Sequence, residues 1–184
     1  MLRPATLGRP TKSAKAVTKG QIYQAAFRLI ENGGLEALSF RALAKQLCVT
    51  PMAITHHAGT RKQLLSALIA LAFSEICAPA VGESPRARLQ FRLNRYCECA
   101  VANAHLIQAM LADTSLVGDE LSRFTDQIQQ ELEAFVDAET VLPVLSLIVD
   151  YTHGFVSSAA TAPDGHGPGR DEYIASLDWI LGRL

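Results

Sequence analysis

Apolar positions recur along this chain at intervals of three and four, the period of an amphipathic helix. Phe40, Leu43, Ala44 and Leu47 fall at i, i+3, i+4 and i+7 and form one stripe. Cys48-Val49 break it, and Thr50-Pro51 reads as a fresh start. A threonine hydroxyl can cap exposed N–H groups, and proline at the first helical position loses no hydrogen bond. This second helix is short and stops before Gly59. Upstream, Thr18 with Gln21 has the form of a capping box, Ile22, Ala26, Leu29 and Ile30 make a buried stripe, and Gly33-Gly34 end the helix. Downstream, Thr60 and Gln63 repeat the capping pattern ahead of a helix through residue 78 that is apolar on nearly every side. Further helices are expected from Ser84-Pro85 to Ala102, His105 to Ala112, Asp119 to Phe135, Thr140 to Ala160 and Asp171 to Leu184, with PDGHGPG (163–169) as a non-helical linker. Strand alternation and internal repeats are absent from the pattern. The fold class is all-α.

The pair over 39–61 is two short helices joined by a tight turn, the helix-turn-helix arrangement whose second helix enters a DNA major groove. Charge supports this. The net charge of −1 hides an asymmetry: residues 1–62 hold ten Lys/Arg against two acids, while residues 63–184 hold seven Arg, no Lys and sixteen acids. A segment of +8 followed by one of −9 fits a nucleic-acid-facing N-terminal part and a C-terminal part that stays off DNA. Two domains follow: a basic arm and helix-turn-helix DNA-binding domain (1–62), and a helical domain (63–184), for which the resemblance described below implies effector binding and dimerisation. Residues 1–16 read as an arm whose Arg3, Arg9, Lys12 and Lys15 lie along phosphates or a minor groove, or serve as a solubilising tail.

Composition narrows the class. At 184 residues, 49% apolar and 19% charged, the chain can build proper cores. No run approaches about 18 uninterrupted apolar residues, and no apolar stretch follows the basic N-terminus, so neither membrane span nor secretory signal is expected. Cys48, Cys77, Cys97 and Cys99 have irregular spacing that makes no disulfide framework, which fits a reducing cytoplasm.

The order TKGQIYQAAFRLIENGG, LEALSFRALAKQLCVTPMAITHHAGTRKQLL is similar to the DNA-binding domain of the tetracycline-repressor (TetR) family. The resemblance covers about 50 residues: the first helix with its terminal glycine, the helix-turn-helix pair, the paired histidines and the basic entry to helix 4, the one that runs through residue 78. Four positions depart from the family pattern. Cys48 stands for the usual Gly of the turn, Thr55 for Tyr, Ala58 for Phe and Arg61 for Lys. The resemblance implies a transcription regulator, a homodimer, a palindromic double-stranded DNA operator and a small-molecule effector bound in the C-terminal domain.

Within that frame, Thr50, Pro51, Met52, Thr55 and His56 lie on the outward side of the recognition helix, with Ala53 and Ile54 facing in. Thr, Met and His can meet base edges or thymine methyls. Arg61 and Lys62 open helix 4, whose N-terminal dipole also favours phosphate. Thr18, Lys19 and Arg41 complete the DNA-facing set. Phe91, Arg95, Tyr96, His105, Met110, Phe124 and Tyr151 supply the apolar walls and polar tips of an effector pocket, or plain core. Leu142, Leu145, Val149, Thr152 and Val156 on one late helix, with Ile174, Leu177 and Leu181 on the last, form stripes for a four-helix dimer interface or for packing within the monomer.

Other chemistries find little support. His56 and His57 are about 100° apart on a helix, and Cys97 and Cys99 about 200° apart, so neither pair presents joint ligands, and no metal or cofactor is expected. Asp150 and His153 share a helix face without a nucleophile partner, and nucleophile elbow, Walker loop, dinucleotide glycines and HExxH are missing, so no enzyme is expected. The reading is a ligand-responsive repressor. Its rivals are a non-sequence-specific architectural DNA binder and a helical ligand-binding module that binds no DNA.

Overall fold

The computed structural model describes residues 17–162 and 167–184; the basic arm and the first four residues of the 163–169 linker lie outside the described residues. The chain divides into two compact units, the first ending at Arg61 and the second beginning at Lys62. All regular structure among the described residues is helical.

The first unit holds α1 (Lys19–Ala37), α2 (Phe40–Leu47) and α3 (Pro51–Ala58). Their starts are set by side chains. Thr18 Oγ1 accepts from Gln21 N at 3.2 Å while Gln21 Oε1 accepts from Thr18 N at 3.0 Å, the reciprocal capping box. Ser39 caps α2 through Ala42 N at 3.1 Å, and Thr50 caps α3 through Ala53 N at 3.2 Å, with Pro51 in the first turn. Ile22, Ala25, Ala26, Ile30, Leu43, Ala44 and Ile54 close the core between them. The regular helix of α1 ends at Gly33-Gly34 as the pattern predicts, both residues being non-helical. Gly34, at φ 64, takes a conformation that favours glycine, and a separate short helical piece to Ala37 follows before Leu38 is buried.

The second unit comprises the rest of α4 (Arg61–Ala72), α5 (Pro85–Ala102), α6 (Ala104–Ala112), a 3₁₀ turn (Thr114–Leu116), α7 (Asp119–Glu133), α8 (Val141–Thr161) and α9 (Arg170–Leu181). Helix α4 stops at Ala72, six residues short of expectation. Phe73 and Ile76 are nonetheless buried, so the apolar run beyond 72 serves burial through successive turns. Helix α5 packs on α7, α8 and α9. The Arg88 guanidinium grips the Glu131 carboxylate from α7 with N–O distances of 2.8 to 3.1 Å. Helix α9 is seated by Tyr173. Its hydroxyl meets Thr152 Oγ1 at 2.9 Å, and its ring stacks on Tyr151 with centroids 5.7 Å apart.

That packing corrects the expected dimer stripe. Leu145, Thr152, Val156, Leu177 and Leu181 are all buried inside the unit, and Val149 and Ile174 are half-buried. Only Leu142 stands open, at 60% exposure, and Leu147 and Trp179 are equally open at 57% and 60%. The apolar arcs of these helices form the stripes that the pattern predicts, and most of their residues face the unit's own core. At 21 residues, α8 is long and apolar enough to cross a membrane by length and composition; its apolar arc is occupied by packing against α5, α6 and α7.

Candidate DNA-binding face and ligand cavity

The turn between α2 and α3 is made by Cys48, at φ 55 and ψ 40, with its N–H and that of Val49 returning to the carbonyls of Lys45 and Ala44. This left-handed cap lets the chain reverse in three residues. It leaves Ile54 and Ala58 buried and turns Pro51, Met52, Thr55 and His56 outward, with Met52 76% exposed. Thr50 also stays exposed while capping. Thr55 Oγ1 donates back to Pro51 O at 3.2 Å, leaving its methyl and lone pairs on the open side. Lys19 and Arg41, at the starts of α1 and α2, are exposed as well. The edge-on rings of His56 and His57 are 5.1 Å apart, and His57 is half-buried. Met, Thr and His on one exposed helix, flanked by cations at helix starts, provide the contacts a major groove takes.

Two of the expected phosphate contacts are engaged within the protein. The Arg61 guanidinium donates to Leu35 O at 3.1 Å, stitching the end of α1. Lys62 Nζ lies 3.4 Å from Asp113 Oδ2 and also meets Ser115 Oγ. The Ser115 hydrogen bonds hold the Asp113 carboxyl below its ordinary range, and Lys62 adds to this.

The second unit contains a cavity of about 230 Å³ between α5, α6, α7 and α8. Leu93, Ile107, Met110, Leu121, Phe124 and Ile128 make its walls, closed on the α8 side by Val149. Leu111 and Val117, both partly exposed, lie at its rim with Thr114. The polar end is a pair: Tyr96 Oη is 2.7 Å from His153 Nε2. Burial lowers the His153 pKa and raises that of Tyr96, so both are uncharged at neutral pH. Of the pocket residues expected from sequence, Tyr96, Met110 and Phe124 line this cavity. The other four lie elsewhere: Phe91 is exposed, Arg95 pairs with Glu75 at 3.7 Å, His105 turns to Gln108, and Tyr151 stacks on Tyr173. His153, not among the expected pocket residues, also lines the cavity. The sequence places it on one helix face with Asp150, but its partner Tyr96 is 57 positions away. Cys97 is buried, its thiol pushed up to about 12, and Cys99 Sγ turns to Ala72 O, so the two thiols point to different neighbours.

Residues 22–68 match the model of the family described as bacterial regulatory proteins, tetR family. That segment, spanning α1 to the first turns of α4, is similar to the DNA-binding part of the TetR family. Solved structures share the TetR-family fold across both units. BioQ of Mycobacterium smegmatis is 19% identical, with 91% of this chain and 97% of that one covered and a TM-score of 0.74. BioQ with its double-stranded DNA operator is 18% identical, with the same shares covered and a TM-score of 0.73. ActR of Streptomyces coelicolor, in complex with (S)-DNPA, is 15% identical, with 91% and 96% covered and a TM-score of 0.70. A comparison with curated protein sequences finds no match. Within the matched segment, α3 is the exposed second helix of the helix-turn-helix.

Proposed function

We propose that this protein is a DNA-binding transcriptional regulator, a ligand-responsive repressor that binds a palindromic operator as a homodimer. Residues 1–62 form the reading head, and residues 63–184 the effector and dimerisation part. The observation that carries the reading is the coexistence of two features in one chain. One is the open row Pro51, Met52, Thr55 and His56 on a capped helix; the other is an apolar cavity in the other unit. BioQ bound to its operator and ActR bound to (S)-DNPA show that proteins of this fold can hold DNA and a small molecule. The dimer is drawn from the open sides of α8 and α9, where Leu142, Leu147 and Trp179 leave large apolar side chains uncovered. Two-fold symmetry then requires half-sites about one helical turn, roughly 34 Å, apart. A ligand that prefers one arrangement of the dimer shifts the population towards it in proportion to its differential affinity.

The test is fluorescence-anisotropy titration of the full chain against its own upstream intergenic DNA and a scrambled duplex, at two salt concentrations. Binding about a hundredfold tighter to the native duplex supports a specific regulator. Equal binding to both that collapses with salt refutes specificity and favours an architectural DNA binder.

A further inference from the structure

We propose that the cavity between α5, α6, α7 and α8 selects an uncharged, ring-sized apolar molecule carrying one hydroxyl or carbonyl, which bonds to the Tyr96–His153 pair. The proposal rests on the reading of this cavity as the effector site and adds the chemistry of what it accepts.

The argument begins with what the walls lack. Among the described residues that line the cavity, none carries a charge at neutral pH. The nearby arginines of α5 are engaged elsewhere. Arg88 grips Glu131, and Arg92 donates to Gln127 Oε1 at 2.7 Å and lies 3.8 Å from the same Glu131 carboxylate. A carboxylate or phosphate guest would be desolvated with no cation to receive it, and an amine would meet no carboxylate.

Next comes how few polar atoms are open. Thr152 Oγ1 donates to Ile148 O at 2.8 Å and meets the Tyr173 hydroxyl, and Thr125 Oγ1 donates to Leu121 O at 3.0 Å. Both threonines therefore present methyl groups. What remains at the buried end is Tyr96 Oη with His153 Nε2. The pair is two-faced. If Nε2 accepts from the tyrosine, the phenol oxygen offers lone pairs to a guest O–H. If Nε2–H donates to the phenol oxygen, the tyrosine O–H turns to a guest carbonyl. One neutral polar group on the guest satisfies either state.

Size follows from volume. Filling about 230 Å³ at interior packing density leaves room for about 170 Å³ of ligand, a molecule of two or three fused rings. The Phe124 ring, 5.2 Å from that of Tyr96, supplies a flat wall beside the polar end.

Equilibrium dialysis of the full chain against 1-naphthol, naphthalene and 1-naphthoate at pH 7.5 tests this. The expected order is 1-naphthol tightest, naphthalene about fivefold weaker for want of one hydrogen bond, and 1-naphthoate at least about a hundredfold weaker. Tyr96→Phe should abolish the preference for 1-naphthol over naphthalene while naphthalene still binds. Should that buried change unsettle the fold, Val117→Trp, at the partly exposed rim, should block both neutral probes with the helical signal and melting temperature retained. Naphthoate binding as tightly as naphthol, equal binding of naphthol and naphthalene to the unaltered chain, or binding of no probe overturns the proposal. If the predicted order holds but 1-naphthol leaves operator affinity unchanged, the cavity chemistry stands and the ligand-responsive reading falls.

Discussion

Cys48→Gly should stabilise this protein. Cys48 is the one described non-glycine residue with positive φ, and it sits where the chain reverses between α2 and the recognition helix. An L-residue there pays about 1–2 kcal/mol for its Cβ, which glycine avoids. Glycine loses about 0.5–1 kcal/mol of that through greater freedom in the unfolded chain. The side chain contributes little else, being exposed with Sγ 4.0 Å from Lys45 O, and the cap hydrogen bonds use backbone atoms that the substitution leaves in place. The net gain is about 0.5–1 kcal/mol, or roughly 1–4 °C in melting temperature for a chain of this length. Thermal and urea unfolding under reducing conditions, with Cys48→Ala and Cys48→Val alongside, separates the contributions. Alanine keeps the Cβ and should match cysteine within a few tenths of a kcal/mol, while valine, branched at Cβ, should fall below it by about 1 kcal/mol. If glycine fails to exceed cysteine, or alanine gains as much as glycine, the strain argument is wrong.

Other outcomes follow from the same geometry. Lys62→Ala should leave the salt dependence of DNA binding nearly unchanged, because its ammonium is held by Asp113 and Ser115, whereas Lys19→Ala should lower the slope by about one; equal effects would refute the distinction. Burial depresses the His153 pKa below its ordinary 6.5, so the unfolded chain takes up a proton first. The stability this gives is full above about pH 6.5 and is lost as pH falls towards the folded value. Urea midpoints between pH 7.5 and 5 should therefore decline, and His153→Gln should flatten the decline; parallel curves would assign the acid sensitivity elsewhere. Leu177→Asp should unfold the second unit, whereas Trp179→Glu should give a folded chain of half the sedimenting mass; a Trp179→Glu dimer would move the interface off α9.

The helices of this protein were legible because their signals are local. Thr18, Thr50 and Ser84 each cap a neighbour three residues on, and Thr50-Pro51 marks the recognition helix without reference to the rest of the molecule. What the pattern cannot carry is which of two partners an apolar stripe meets. Leu145 and Leu177 would read the same against a second copy or against α5, and only the folded chain shows them buried within one protomer. The cavity escaped for a related reason. Tyr96 and His153 become a pair through the crossing of α5 and α8, and a single stripe says nothing about where helices cross. The pairing of Lys62 with Asp113 is likewise invisible in the sequence, because a lysine at a helix start suits a phosphate as well as a carboxylate, and the two differ only in what lies opposite.

The span from Leu111 to Val117 faces two ways. Leu111, Thr114 and Val117 border the cavity, while the intervening Asp113 and Ser115 hold Lys62, the residue joined by a peptide bond to the last residue of the first unit. Lys62 and Asp113 remain about half exposed, so dissolved ions reach their pair and weaken it. Ionic strength therefore reaches a rim whose guest carries no charge. Such a binding equilibrium acquires a salt dependence from its doorframe, and a molecule with no electrostatics of its own becomes answerable to the electrolyte around the protein.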